Sequence, residues 1–216
     1  MKILALSDTH SRHKKIPREW LPPADVIVHA GDFTINGEDL ETLNFLEWFS
    51  GLPYAHRILT AGNHDWSFED TRCLFFEDYV RRGGITYLND EGLDIEGVYF
   101  YGSASTPRFL DWAFNREQGA EIDRYWRAIP RYTEVLITHG PPYGYLDETL
   151  DKRKVGCKDL TENLKEIKPK YHVFGHIHSG YGIMKGRDEL EGTTFINASV
   201  CDERYKLVNK PILFEV

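Results

Sequence analysis

Histidines, carboxylates and one side-chain amide recur in this sequence in five short clusters, and these residue types bind divalent metal ions. The clusters are Asp8-Thr9-His10, Gly31-Asp32, Gly62-Asn63-His64-Asp65, His139-Gly140 and Gly175-His176-Ile177-His178. Mixed ligation by carboxylate, amide oxygen and imidazole suits manganese, iron or zinc, and no cysteine lies in any cluster. Two ions about 3.5–4 Å apart need a bridging anion and further ligands on each ion. The clusters together contain enough ligands for such a pair.

Each cluster has an ordinary explanation when it is taken alone. Asp-x-His arises by chance and most often forms a helix cap or a loop. Gly-Asp after a strand is usually a turn, and a pair of histidines often has a structural role. The presence of all five clusters in one chain, each at the end of a strand-like run, favours a common metal site.

The clusters follow segments whose hydrophobic pattern predicts buried strands. These runs are short and rich in Val, Ile and Leu, and they are Lys2–Leu6, Asp25–Ala30, His56–Ala61, Glu134–Thr138 and Tyr171–Gly175. Apolar residues at helical spacing predict helices over Glu38–Phe49, Phe68–Arg82, Arg116–Ile129 and Lys158–Ile167. Because ligands gather beyond the carboxyl ends of strands in open α/β sheets, we expect one sheet edge to collect the clusters.

Further short apolar runs predict additional strands. Leu93–Ile95 and Val98–Gly102 predict a hairpin, and Gly182–Lys185, Thr193–Ala198 and Ile212–Val216 predict a meander. The alternation of strands and helices predicts an α/β fold, with the hairpins adding a second sheet. The length of 216 residues fits one domain, which we predict to span residues 1–216.

Spacing within the clusters suggests how two side chains reach one ion. If the first cluster is extended, Asp8 and His10 lie on the same face and can bind the same ion. His176 and His178 have the same spacing and can bind one ion or two neighbouring ions. Glycine precedes three of the candidate ligands and would let the backbone turn sharply into the site. The spacing leaves open which ligand serves which ion.

The acidic composition limits the classes of function. The formal net charge is −8 and the isoelectric point about 5.6, with 41% hydrophobic and 28% charged residues. These fractions are ordinary for a globular protein. A negative surface repels phosphate backbones, so we expect no extended nucleic-acid surface. Metal ions in a carboxylate-lined site would still attract a small phosphorylated substrate.

The cysteines and the N-terminus bear on location. Cys73, Cys157 and Cys201 are widely spaced and make neither a disulfide framework nor a zinc motif. Met1–Ser7 is too short for the apolar region of a signal peptide, and no stretch is long enough to span a bilayer. We therefore expect a cytoplasmic location without a membrane partner. The sequence leaves the oligomeric state open.

The five clusters resemble the five motifs of calcineurin-like metallophosphoesterases. This resemblance implies two divalent ions. Manganese is the first choice of metal, and iron, zinc, cobalt and nickel are the alternatives. It implies that Asp32 bridges the two ions. The other ligands of the first ion would be Asp8, His10 and His178, and those of the second would be Asn63, His139 and His176. It further implies that His64 stays free of metal and that Asp65 orients its ring.

A closer resemblance covers almost the whole chain. The sequence is similar to the brain-expressed metallophosphoesterase-domain-containing proteins, a class III cyclic nucleotide phosphodiesterase branch. The similarity is carried by Ala30-Gly31-Asp32-Phe33-Thr34, Thr138-His139-Gly140-Pro141-Pro142, His172-Val173-Phe174-Gly175-His176-Ile177-His178 and Ile196-Asn197-Ala198-Ser199. It implies a two-sheet β-sandwich flanked by helices, with weak activity on cyclic nucleotides and aryl diesters. Some members have glycine at the position of His176, whereas this chain keeps the histidine.

The predicted reaction is hydrolysis of a small phosphodiester or nucleotide. A hydroxide bridging the ions would attack phosphorus in line, and protonated His64 would donate its proton to the leaving oxygen. Protein phosphatases of this type carry Asp-Arg-Gly after Gly-Asp, and this chain reads Phe33-Thr34-Ile35 there. The alternative from another class is a nucleotide-binding regulatory or scaffold protein with weak residual activity.

A few other residues are weaker candidates. Asn63, His64 and Asn197 are predicted to contact the substrate. His29 lies in an apolar run and is expected to pack within a strand. The segment Thr106–Phe114 is rich in aromatic residues, which ordinarily pack in a loop or in the core. Alternatively, these residues could form a wall beside the metals on which a nucleotide base stacks.

Overall fold

Thirteen strands and four α-helices make up the computed structural model, which describes residues 1–216. The strands are β1 Lys2–Leu6, β2 Val26–Ala30, β3 His56–Thr60, β4 Thr86–Tyr87, β5 Glu91–Ile95, β6 Val98–Ser103, β7 Thr106–Pro107, β8 Asn115–Arg116, β9 Val135–Thr138, β10 Tyr171–Phe174, β11 Gly182–Lys185, β12 Thr194–Asn197 and β13 Ile212–Glu215. The helices are α1 Asp39–Ser50, α2 Cys73–Arg82, α3 Ala120–Arg127 and α4 Lys158–Ile167. Every strand and helix that the sequence predicts is present, with shifted ends in several cases.

The strands form two large sheets. The first has the order β13-β1-β2-β3-β4 and is parallel except for β13. The second has the order β11-β12-β10-β9-β6-β5, with four parallel central strands and an antiparallel strand at each edge. Strands β7 and β8 form a separate short parallel pair.

The predicted C-terminal meander is wrong in its pairing. Strands β11 and β12 are antiparallel neighbours in the second sheet, but β13 crosses to the first sheet and pairs with β1. In this register Lys2 lies opposite Glu215 and Ala5 opposite Ile212. A hydrophobic pattern predicts that a segment is a strand but does not predict which strand it pairs with. The outer edge of β1 was unpaired in the first sheet, and β13 pairs with it.

The core lies in three layers, which places the sheets face to face with helices outside them. The central layer lies between the two sheets. The first sheet contributes residues of β1, β2 and β3 to it, and the second sheet contributes residues of β6, β9, β10 and β12. Helices α1 and α2 cover the outer face of the first sheet, and α3 and α4 cover that of the second. The two-sheet sandwich flanked by helices is therefore confirmed. None of the four helices combines the length and the apolar character that crossing a bilayer requires.

Two helices begin later than their hydrophobic pattern predicts. Helix α2 begins at Cys73 rather than Phe68, because the chain first forms a short 3₁₀ turn over Trp66–Phe68. Helix α3 begins at Ala120 rather than Arg116, because Gly119 has a φ of 85° and Asn115–Arg116 pairs as β8.

The ligand-bearing loops have a tightly turned backbone. Asp8, His10, Asp32 and His176 have positive φ values of 54°, 39°, 57° and 67°. Asp8-Thr9-His10 is therefore not extended, and Asp8 and His10 reach the same ligand group through this turned backbone instead. Residues other than glycine seldom adopt this conformation, and it is found where surrounding structure enforces it.

Gly175 shows how closely these loops approach one another. A Cβ atom at this position would collide with Asp8 Oδ2 and with the side chain of Ser7. Glycine is required here for space and not for a positive φ, since none is found at Gly175. The loop after β10 can therefore lie directly on the carboxylate that ends β1.

We predict that Gly175→Ala destabilises the protein by about 1–3 kcal/mol, as added volume does in a packed interior. The new methyl group would push Asp8 away from the loop that follows β10. Chemical denaturation without metal would measure the loss. Gly192→Ala is the matched control, because nothing lies within 4 Å of a Cβ atom there. Equal stability of the two variants would show that the close approach at Gly175 is not required.

Candidate metal centre

The five clusters meet at the carboxyl ends of strands from both sheets. Asp8, Asp32 and Asn63 follow β1, β2 and β3 of the first sheet, while His139 and His176 follow β9 and β10 of the second. The predicted gathering of clusters at one edge is thus observed, and both sheets contribute to it. The site lies where the ends of the two sheets come together.

One set of ligand atoms forms the Asp8 group, which consists of Asp8, His10 and His178. His178 Nε2 lies 3.3 Å from Asp8 Oδ1 and 3.3 Å from His10 Nε2. His10 Nε2 lies 3.9 Å from Asp32 Oδ2. Three of the ligands implied for the first ion are therefore clustered, with the fourth close by.

A second set forms the Asp32 group, which consists of Asp32, His139 and His176. His139 Nε2 lies 3.3 Å from Asp32 Oδ2 and 3.0 Å from Asn63 Oδ1. The rings of His139 and His176 pack edge to face with centroids 5.0 Å apart. Because the same oxygen of Asp32 also faces His10 of the Asp8 group, Asp32 occupies the position of a bridge.

Backbone carbonyl groups fix the orientation of the histidine rings. The Nδ1 atoms of His10, His139 and His178 lie 3.1, 2.9 and 2.9 Å from carbonyl oxygens of Thr34, Ala30 and Asp202. A carbonyl oxygen can only accept, so each Nδ1 carries a proton and donates it. The Nε2 atoms all face the centre, where each can ligate a cation once it carries no proton. Such bonds orient imidazole ligands and raise their basicity.

The two carboxylates are held as firmly as the rings. Asp8 Oδ2 accepts hydrogen bonds from the hydroxyl groups of Ser7 at 2.5 Å and Ser199 at 2.8 Å. Asp32 Oδ1 accepts one from the backbone N–H of His64 at 2.8 Å, which leaves Oδ2 for the centre. Ser7 and Ser199 were missed by sequence reasoning, because a serine beside a cluster carries no distinctive signal.

The carboxylates stay ionised although they are buried. Burial alone would raise the pKa of Asp8, but its hydrogen bond to His178 and the nearby histidine charges hold it well below the ordinary value. Burial also opposes ionisation of Asp32, and the charge and hydrogen bond of His139 keep its pKa below the ordinary value. Two fixed negative charges therefore face the centre.

The four converging histidines fall into two protonation states. Burial lowers the pKa of His10 and of His176 to about 4, so both are neutral at neutral pH. Burial also acts against charge on His139 and His178, but the neighbouring carboxylates raise both pKa values to about 9. Without metal, His139 and His178 thus balance the two carboxylates as imidazolium ions.

Asp65 does not orient the ring of His64, and this prediction is wrong. Its carboxylate accepts from the backbone N–H groups of Asp32 at 2.8 Å and Thr34 at 3.0 Å, and from the Thr34 hydroxyl at 2.7 Å. Burial and the charge of Asp32 raise the pKa of Asp65 to about 7. The ring of His64 instead donates Nδ1–H to the carbonyl oxygen of Ile35 at 2.6 Å. Asp65 holds the loops after β2 and β3 together.

Asn197 does not contact the cavity, so the structure contradicts its predicted role with substrate. The residue is fully buried. Its Nδ2 donates to the carbonyl of Ile177 at 2.8 Å, and its Oδ1 accepts from the backbone N–H and the hydroxyl of Ser199. Asn197 therefore holds the loop between His176 and His178 against β12. His29 is buried in β2 against Phe45, as expected.

A cavity of about 520 Å³ opens above the two groups, and His10, Asp32, Asn63, His64, His176 and His178 lie along it. The Trp112 ring packs against His64 at a tilt of 34° with centroids 4.2 Å apart, and Tyr205 packs edge to face on His10 at 4.5 Å. His64 Nε2 lies 3.9 Å from Asp32 Oδ2. Part of the aromatic-rich segment thus lines the cavity, as in its functional alternative, while Ala113 and Phe114 are buried as in its ordinary role. Arg108 pairs with Glu117 outside the cavity.

The donor set fits two divalent cations. Each group combines carboxylate oxygen with two imidazole nitrogens, and their ligand atoms lie within 4.8 Å of one another. Asn63 adds an amide oxygen beside His139, and no sulfur ligand is present. This is the mixture expected for manganese, iron or zinc. His64 forms a further group with His10 and Asp32, so geometry alone does not separate it from the ligands.

Comparison with known proteins identifies the family and agrees with this fold. A family model described as calcineurin-like phosphoesterase matches residues 1–180. The chain therefore belongs to the calcineurin-like phosphoesterases, a family of metal-dependent hydrolases, as the sequence motifs predicted.

Two relatives are similar over the whole chain. UPF0046 protein K07C11.7 of Caenorhabditis elegans is 37% identical over 227 aligned positions, covering 100% of this chain and 75% of that protein. Human metallophosphoesterase domain-containing protein 1 is 36% identical over 241 positions, covering 100% and 71%. The predicted similarity to metallophosphoesterase-domain-containing proteins is confirmed.

A solved structure shows the same fold at low sequence identity. The protein TT1561 of Thermus thermophilus aligns with a TM-score of 0.59 and 13% identity over 91% of this chain and 88% of that one. This similarity concerns the fold alone.

We predict that the chain binds two divalent ions and that Asp32→Asn weakens both. Asparagine can still accept from the N–H of His64 but removes the charge that faces both groups. Changes outside the ligand shell already reduce metal affinity by about 10–100-fold, so a larger loss is expected here. Elemental analysis after manganese loading would show it. Asp78→Asn, at a partly exposed position of α2 outside the ligand groups, is the control and should keep two ions. Loss of a single ion from Asp32→Asn would contradict the bridging position.

A second prediction concerns proton release. With pKa values of about 9, His139 and His178 each carry an extra proton at pH 7. Ligation requires neutral rings, so binding of two ions should release about two protons, and affinity should rise with pH up to about pH 9. Calorimetric titrations in two buffers of different ionisation enthalpy would count the protons. His56→Gln, at an exposed histidine, should release the same number. Binding without proton release would show that the rings are neutral beforehand.

Proposed function

We propose that the chain hydrolyses small phosphodiesters, including cyclic nucleotides, with two bound divalent ions. Manganese is the metal that we propose first. The observation that carries the proposal is the position of Asp32 Oδ2, which lies 3.3 Å from His139 Nε2 and 3.9 Å from the Nε2 atoms of His10 and His64. One oxygen thus faces both ligand groups and the candidate proton donor. When bound, the two ions would supply an acidified water and positive charge for the phosphate oxygens.

His64 is placed to serve as the proton donor. Its Nδ1 proton is committed to the Ile35 carbonyl, so the proton available for transfer is the one on Nε2. That atom faces the cavity beside Asp32. A positioned histidine that protonates the leaving oxygen usually accelerates such a step by about 10²–10⁴-fold. The ring is aligned by a backbone carbonyl and by Trp112, in place of the carboxylate expected from the sequence.

Asn63 is the second proposed substrate contact. Its Oδ1 lies beside His139 and faces the metal groups. The Nδ2 of the same amide can donate to a phosphate oxygen in the cavity, so one side chain would bind both metal and substrate.

The alternative of a nucleotide-binding or scaffold protein finds no specific support. It would be favoured by a missing ligand, and all seven candidate ligand positions carry metal-binding side chains. Their preorganised hydrogen bonds also favour a working centre, since such bonds position ligands for metal binding.

We predict that His64→Ala slows hydrolysis in proportion to the basicity of the leaving group. Nitrophenolate leaves without protonation, whereas a ribose alkoxide needs a proton. With manganese at saturation and fixed pH, the variant should lose about 10²–10⁴-fold on a cyclic nucleotide and much less on bis-nitrophenyl phosphate. The measured quantity is the ratio of wild-type to variant rate for each substrate.

His56→Ala is the control for this experiment, since His56 lies on the exposed surface. It should leave both rates unchanged. Equal losses on the two substrates for His64→Ala, with metal content intact, would mean that His64 positions the phosphate and does not donate a proton. Loss of an ion from His64→Ala would make His64 a ligand. Either result contradicts the proposed role.

A further inference from the structure

We propose that a second cavity, beside the metal centre, binds a further phosphate group of the substrate, with Lys154 and Arg187 as its cationic contacts. This inference rests on the proposed function and extends the substrate class to diesters that carry an additional phosphate. It is carried by the position of the second cavity and by the distribution of charge between the two cavities.

The second cavity, called the basic cavity below, has a volume of about 540 Å³. Thr149, Leu150 and Ser179 line both this cavity and the one above the metal ligands. Ser179 follows directly on the candidate ligand His178 in the sequence. The two cavities are therefore neighbours that share a wall, and one ligand can extend from the first into the second.

The shared wall belongs to a loop, residues 147–156, whose backbone is held in place. Glu148 and Lys154 pair across it as an antiparallel bridge. The hydroxyl group of Ser179 donates to the carbonyl oxygen of Glu148 at 2.9 Å, which attaches the loop to the residue after His178. The backbone of Lys154 therefore has a defined position relative to the metal centre.

Cations line the basic cavity and are missing from its neighbour. Lys152, Lys154 and Arg187 lie along the basic cavity, whereas no lysine or arginine lines the cavity above the metal ligands. The carboxylates of the basic cavity are Asp147, whose Oδ2 accepts from a backbone N–H at 3.0 Å, and Glu148. Because the whole chain has a net charge of −8, a cavity in which cations outnumber carboxylates is a local exception. A phosphate beyond the reach of the metal ions would find cationic partners here.

Two of these three cations are free of acidic partners. Lys152 Nζ pairs with Glu148 Oε1 at 2.9 Å, but neither Lys154 nor Arg187 forms an ion pair. The guanidinium group of Arg187 lies over the ring of Tyr145, 5.7 Å from its centroid, and Nη2 donates to a backbone carbonyl at 3.4 Å. An arginine placed in this way keeps further N–H donors for phosphate oxygens. Two free cations from separate segments of the chain thus face one cavity.

The second phosphate contact is tested with thymidine 5′-(p-nitrophenyl phosphate) and the same ester carrying a 3′-phosphate. The leaving group and the attacked phosphorus are the same, so a difference in kcat/KM reports the added phosphate. A third ester, extended by one more thymidine 3′-phosphate, places a phosphate farther from the attacked one. Wild type with manganese should prefer at least one phosphorylated ester by roughly 2- to 25-fold, the range expected for two exposed ion pairs. The preference should shrink at high salt.

Substitutions of the two free cations identify the contacts. Lys154→Ala and Arg187→Ala should each reduce the preference by roughly 1.5- to 5-fold. Both side chains are exposed, so the variants should fold. Lys15→Ala and Arg18→Ala are the matched controls, because they remove the same charges from exposed positions outside both cavities. The controls should keep the wild-type preference.

The possible outcomes separate this inference from the function on which it rests. If none of the esters is hydrolysed with manganese present, the proposed function fails. Hydrolysis without a preference for either phosphorylated ester, or with a preference that both Lys154→Ala and Arg187→Ala retain, overturns the second phosphate site and leaves the proposed function intact. Variants that keep the preference but are less inhibited by inorganic phosphate would assign the basic cavity to a free anion, which also overturns the inference.

Discussion

Hydrogen bonds between imidazole Nδ1 atoms and backbone carbonyl oxygens organise this site. His10, His64, His139 and His178 each donate to a main-chain carbonyl, and none of these bonds uses a side-chain acceptor. A main-chain acceptor moves only with the fold, so the ring orientations are as rigid as the loops. The Nε2 atoms are therefore directed to one centre before any cation arrives, which lowers the cost of binding.

The fold supplies those carbonyls at the cost of local strain. The loops turn through positive φ values at Asp8, His10, Asp32 and His176, and glycines allow the loops to touch. Asp65 secures two of the loops through backbone N–H groups, although its own burial raises its pKa. Strain of this kind persists only where the structure around it is well determined. Here the two-sheet core beneath the loops provides that support.

Local patterns in the sequence predicted most of the fold and the composition of the site. Lys2–Leu6 and Lys158–Ile167 were predicted with the ends that the structure shows, the first from its continuous apolar run and the second from its helical periodicity. The roles of Asp65 and Asn197 and the pairing of β13 were predicted wrongly. Each depends on partners distant in sequence: Asp65 accepts from the N–H of Asp32, 33 residues away, and Asn197 donates to the carbonyl of Ile177, 20 residues away. Residue type does not identify such an acceptor.

The most direct test of this account is a long-range ¹H–¹⁵N NMR spectrum of the protein loaded with zinc, which is diamagnetic. His10, His139 and His178 should each show a protonated Nδ1 and a metal-shifted Nε2, because their Nδ1 atoms are committed to carbonyl groups. His64 should show a protonated Nδ1 without a metal shift on either nitrogen. A metal-shifted Nδ1 on any of the three ligands would contradict the claim that the backbone sets the geometry of the centre.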